Sequence, residues 1–139
     1  MDERYADPDV ITRLLEKSRT WAFVGLANRP HRTVYDQARR LQARGKRIIP
    51  VHPDREVVLG ERAYGSLAEI PEDVTIDVVG VYRRSRFAGG VIDEAIARGA
   101  GAVWLPLGVV DEAAAERALA AGLDVVMDRC PAIEWSLRH

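Results

Sequence analysis

Three arginines, Arg83, Arg84 and Arg86, fall within four residues, and the guanidinium fork matches the oxygens of a phosphate. They stand where an amphipathic segment from about Ser85 to Arg98 begins. Cations there oppose the dipole of a helix start, so a bound anion would explain them, the alternative being a solvated helix end. A second cationic stretch, Gly25-Leu26-Ala27-Asn28-Arg29-Pro30-His31-Arg32, leads into Thr33, which reads as the cap of the next helix. Loop amides and a helix start make this end attractive to a phosphate, against an ordinary strand-to-helix turn. A third group is His52 and Pro53, with Arg55 close behind.

The remaining reactive side chains form no recognisable catalytic set. His31 and His52 could be imagined as an acid-base pair, yet no carboxylate stands obviously beside either. Cys130, the single cysteine, reads as a small apolar residue before Pro131 rather than a nucleophile. No Ser-His-Asp arrangement, metal-ligand spacing or Walker loop is present, so no catalytic residue and no metal are assigned. Trp21, Trp104 and Trp135 read as packing residues.

The elements that must position these groups alternate between short apolar runs and amphipathic segments that end in glycine. The first helix starts at Asp7-Pro8 and buries Val10, Ile11, Leu14 and Leu15. Five strands are predicted at Trp21–Leu26, Arg47–Val51, Ile76–Val81, Ala102–Leu105 and Leu123–Met127. Helices run from Thr33 to Arg44, from Ser85 to Arg98 with Gly99 behind it, from the Asp111 cap to Ala121, and from Pro131 to Leu137. Between His52 and Thr75 the chain reads as irregular, with an apolar patch at Val57-Val58-Leu59 and one helical turn at Ser66–Glu69. This pattern predicts an α/β fold, a Rossmann-like doubly wound parallel sheet of three layers in the order 3-2-1-4-5. Ligands then bind beyond the strand ends where the order reverses, here between the first and fourth strands. That collects the loops Gly25–Thr33, His52–Arg55, Tyr82–Arg86 and Pro106–Asp111.

At 139 residues the chain is predicted to form one domain, residues 1 to 139. Its 47% hydrophobic and 29% charged residues argue against disorder and against a membrane protein. A formal charge of −1 removes the general electrostatic case for a nucleic-acid or membrane-surface partner. One cysteine excludes an internal disulfide framework, and the charged first 20 residues resemble neither a signal peptide nor a spanning helix, so a cytoplasmic location is expected.

A dinucleotide site of the usual kind requires G-x-G-x-x-G after the first strand, and only Gly25 is in place. The acidic receptor of the ribose hydroxyls is missing after the second strand, where His52, Pro53 and Arg55 stand instead. A cation there suits a ribose that carries a phosphate.

Over residues 10 to 135 the chain resembles the CoA-binding protein family, small Rossmann-like proteins related to the amino-terminal domain of the succinyl-CoA synthetase α subunit. The resemblance is carried by Ala22–Leu26, Ile48–Pro53, Tyr64–Pro71, Val81–Arg84, Val103–Gly108 and Val126–Pro131. It implies that Gly25, Leu26, Ala27, Asn28 and Arg29 hold a pyrophosphate, beside the helix start at Thr33 already read as a phosphate site. Val51, His52 and Pro53 would border the adenine, and Arg55 would replace a lysine that meets the nucleotide phosphates. Tyr82, Arg83, Arg84 and Ser85 would line the cleft, and Leu107 and Gly108 would lie near the pantetheine arm. Pro106 stands where relatives often have glutamine, and Arg129-Cys130-Pro131-Ala132 replaces Asn-Cys-Pro-Gly. The second synthetase domain, with its phosphorylated histidine, has no counterpart here, so ligase chemistry is not expected. The reading is non-catalytic binding of coenzyme A or an acyl-CoA, as carrier, sensor or partner subunit; a protein partner or second copy stays open. The alternatives are a nicotinamide-dependent oxidoreductase or redox sensor with a degenerate glycine loop, and an interaction domain with a vestigial cleft.

Overall fold

A computed structural model describes residues 3–139, so the first two residues of the predicted domain lie outside the described residues. In chain order the elements are α1 (Pro8–Lys17), β1 (Thr20–Val24), α2 (Thr33–Ala43), β2 (Arg47–Val51), β3 (Val57–Val58), β4 (Glu61–Arg62) and β5 (Val78–Val81). They continue as α3 (Ser85–Arg98), β6 (Ala102–Trp104), α4 (Glu112–Ala120), β7 (Asp124–Val126) and α5 (Pro131–Arg138). The predicted α/β class is the observed one: five parallel strands lie between two helical layers.

Near-continuous apolar strands suit a sheet covered on both faces, because successive side chains point to opposite sides. Trp21 and Phe23 pack with α1 and α2, together with Ile48, Val78 and Trp104. Ala22 and Val24 turn the other way, toward Ile49, Val79 and Val103 and the buried faces of α3 and α4. The Trp21 ring lies 5.6 Å from Phe23 and 5.5 Å from Trp104, centroid to centroid. Two helix starts follow the sequence reading: the Asp7 carboxylate accepts from the Asp9 N–H at 2.9 Å, and that of Asp111 from the Ala114 N–H at 3.0 Å. At the start of α2 the reading is corrected. Thr33 is its first helical residue, Arg32 occupies the cap position, and no side chain caps it.

The strand order also differs from the expected one. The sheet runs β2-β1-β5-β6-β7, which in the predicted strand numbering is 2-1-3-4-5 rather than 3-2-1-4-5. The place beside β2 is taken by the segment after it. Tyr64 donates its N–H to Pro50 O at 3.1 Å and accepts from His52 N at 2.8 Å, a one-residue parallel bridge. With that edge occupied, the third predicted strand crosses back and pairs with β1 instead. The reversal of order therefore falls between β1 and β5, not between the first and fourth strands.

The stretch read as irregular contains a small antiparallel hairpin, β3 with β4, turned by Leu59 and Gly60 at φ 51° and 85°. Beyond the helical turn at Leu67–Glu69, Arg98 anchors the segment from the end of α3. Its guanidinium donates to the carbonyls of Leu67, Ile70, Pro71 and Val74 at 2.9, 2.6, 2.6 and 3.0 Å.

Candidate functional site

The site forms where β1 and β5 end side by side. Gly25 leaves β1 with φ 102°, its N–H donating to Val51 O at 2.9 Å, while Tyr82 N donates to Val24 O at 3.0 Å. A side chain at Gly25 would run into the Tyr82 carbonyl, so both the dihedral and the close approach require glycine. That crossing leaves open backbone between two cavities, which share Gly25, His52, Tyr82 and Arg83.

The first cavity, about 570 Å³, lies between the ends of β1 and β2 and the first turns of α3. Val24, Val51, Pro53 and Val91 give it apolar walls, and His52, Ser66 and Glu94 add polar edges. Its shape and lining suit a flat heterocycle with a hydrogen-bonding rim. The second, about 500 Å³, lies under the start of α2. Arg29, Arg32 and Arg84 surround it, and Val34, Pro106, Leu107 and Val109 make its apolar side.

The starts of α1 and α4 are capped by carboxylates, whereas those of α2 and α3, which face the cavities, have no side-chain cap; α5 also lacks one, but there Gln37 Oε1 accepts from the Ala132 N–H at 3.1 Å. Uncapped amides and the helix dipole favour an anion. The cations add positive charge: among the described residues Arg32, Arg83 and Arg84, which line the cavities, have no carboxylate partner, as is also true of Arg19 and Arg62 elsewhere, while Arg39, Arg40, Arg47, Arg55 and Arg117 each meet one.

Asp54 adds an acid that the sequence reading did not use. Its carboxylate lies 3.5 Å from His52 Nδ1 and 3.7 Å from the Arg29 guanidinium, tying the first and second loops together, and its N–H donates to that same Nδ1 at 3.1 Å. Among the described residues no hydroxyl or thiol is hydrogen-bonded to either His31 or His52, and no group of three His, Cys, Asp or Glu could hold a metal. The Tyr82 hydroxyl is buried without a partner, and its desolvation raises the phenol pKa far above the ordinary value. It is a neutral donor, not a base. The Cys130 thiol donates to Gln37 Oε1 at 3.6 Å, behind the cavities rather than in their lining.

Of the residues singled out beforehand, Gly25, Ala27, Arg29, Thr33, Val51, His52, Pro53, Tyr82, Arg83, Arg84, Leu107 and Gly108 line one cavity or both. Leu26 does not: it is fully buried with the α1 and α2 side chains, because the turn at Gly25 drives it into that layer. Asn28 is exposed and outside both linings. Ser85 works one step away, accepting from Val110 N at 3.0 Å and donating to Gly108 O at 3.3 Å, which fixes the loop after β6 against α3. Arg55 lies over Gly65, where Glu69 accepts from it at 2.6 Å.

Sequence reasoning missed Gly65 and Ser66 on one wall, and Phe87, Gly90, Val91 and Glu94 on the other. The second set had a signal, since spacings of three and four after Arg83 mark one face of a helix.

Comparisons with known proteins identify the family. Residues 19–136 match the model of the CoA binding domain. The uncharacterized protein YneT of Bacillus subtilis (strain 168) is 39% identical over 120 residues, 86% of this chain and 87% of its own. A Thermus thermophilus protein of solved structure is 27% identical with a TM-score of 0.88, over 96% of this chain and 99% of its own. The fold recurs at 22% identity and a TM-score of 0.68 in the dinucleotide-forming acetyl-coenzyme A synthetase 1 of Ca. Korarchaeum cryptofilum, over 85% of this chain and 27% of that one. With the matched segment running from the start of β1 into α5, the chain belongs to the CoA-binding domain family.

Proposed function

We propose that the protein binds coenzyme A or an acyl-CoA at the β1–β5 crossing and has no catalytic centre of its own, serving as carrier, sensor or partner subunit. The observation that carries this reading is the pairing of two cavities across bare backbone at Gly25, with uncapped α2 and α3 starts and cations that lack carboxylate partners. Such a site suits an ADP moiety whose base lies in the first cavity and whose diphosphate lies at the junction. The pantetheine arm would follow Leu107 and Gly108 through the second cavity. Arg55, whose guanidinium lies over Gly65 at the edge of the first cavity, would meet the additional phosphate of the ribose.

Thermal melts and calorimetry with coenzyme A and with NAD test the reading. A ligand that binds only the folded chain stabilises it by about 2.7 kcal/mol at a hundred times its Kd. Coenzyme A should raise the Tm while NAD leaves it in place. NAD binding in the absence of coenzyme A binding would move the protein to the oxidoreductase class, and an inert cleft would leave the interaction-domain reading.

A further inference from the structure

Phe87 is exposed for an aromatic, at 41%, and it carries two cations: the guanidinium carbons of Arg83 and Arg86 lie 4.6 and 4.7 Å from its ring centroid. Two like charges drawn to one ring repel each other, and among the described residues neither has a carboxylate partner to offset this. Among the described residues Trp135 carries one guanidinium, that of Arg44, at 4.3 Å. Among the described residues Arg83 is also the one arginine or lysine in the lining of both cavities. A flexible arginine at that junction would sample many rotamers, and immobilising it on binding costs affinity. Attraction between a guanidinium and an aromatic face holds the charge in one place before an anion arrives.

We infer that Phe87 is a positioning residue that holds Arg83 at the junction of the two cavities, ready for a diphosphate group. This rests on the coenzyme A reading for the identity of the whole ligand, though not for the anion itself. Phe87 also stands on the wall of the first cavity, so its action through Arg83 is read with pyrophosphate, which carries no base to fill that cavity.

A double-mutant cycle with two probes, coenzyme A and inorganic pyrophosphate, tests it by calorimetry. Phe87→Leu should weaken both probes by about three- to fivefold, the range of an exposed cation–π contact. Arg83→Ala should weaken them by about tenfold. The double variant should equal Arg83→Ala alone, because Arg86, the other cation on the ring, lines neither cavity. Phe87→Trp keeps a cation-binding face and should stay within about twofold of wild type. The half-exposed position lets all four variants fold, which their melts check. Wild-type affinity in Phe87→Leu, or losses that multiply in the double variant, would overturn the inference. Pyrophosphate binding that follows this pattern without any coenzyme A binding would remove the ligand assignment and leave the positioning role standing; binding of neither probe would remove both.

Discussion

Gly25 concentrates the residue-scale constraint, because one position must both turn the chain out of β1 and let the Tyr82 carbonyl approach. Gly25→Ala should therefore destabilise the fold by more than about 2 kcal/mol, combining dihedral strain with a backbone collision. Urea titrations would measure this, and a midpoint equal to wild type would refute the required close approach. Arg55 is the second decisive residue. It sits at φ 51° with its guanidinium on the Glu69 carboxylate, which also accepts from Gly65 N and is held below the ordinary carboxylate pKa, first by Arg55 and then by that N–H. If Arg55 leaves Glu69 for the extra phosphate, Arg55→Ala should weaken coenzyme A by roughly tenfold more than dephospho-coenzyme A. Equal losses for the two ligands would return Arg55 to a purely structural role. Its sequence position pointed toward a phosphate; the competing carboxylate, fourteen residues away, was legible only in three dimensions.

At the scale of elements, the segment between β2 and β5 has little regular structure to hold it, yet it supplies Gly65 and Ser66 to the first cavity. Arg98 compensates, with four carbonyls as acceptors. Truncating it leaves those carbonyls to find water and frees the segment, so Arg98→Ala should cost about 2–4 kcal/mol. Hydrogen exchange should accelerate between residues 64 and 75 while the amides of β1 and β5 keep their protection. Uniform loss across the sheet would show that Arg98 stabilises the molecule globally instead. The helices were more legible than this segment, because caps and terminal glycines act within a few residues. Asp7, Asp111 and Gly99 do what their types imply. Thr33 does not, and the reason is local geometry: the chain enters α2 one residue earlier, leaving the amides open toward the cavity.

The whole molecule adds constraints that no single element carries. Lys46, only 7% exposed, donates from Nζ to Ser18 O at 2.5 Å, linking the turn after α2 to the end of α1. Burial pushes its pKa below the ordinary 10.5, and Asp77 offsets only part of that. Between the lowered folded value and 10.5 the unfolded chain binds more protons than the native one, so this group makes stability rise with pH there. In Lys46→Met that alkaline rise should vanish relative to wild type, measured as the difference between urea midpoints at a series of pH values up to 10.5. A constant difference across the series would deny the lysine a desolvated charge. Residue types over short spans suffice for the α/β class, the capped and glycine-ended helices, most of the loops that line the cavities, and the absence of an NAD-type glycine loop. The strand order, the burial of Leu26, the wall built by α3 and the hold of Glu69 on Arg55 emerge from the assembled fold. Those depend on the Tyr64 segment covering the outer edge of β2 and on contacts between distant residues, whose energies appear only when the sheet is assembled.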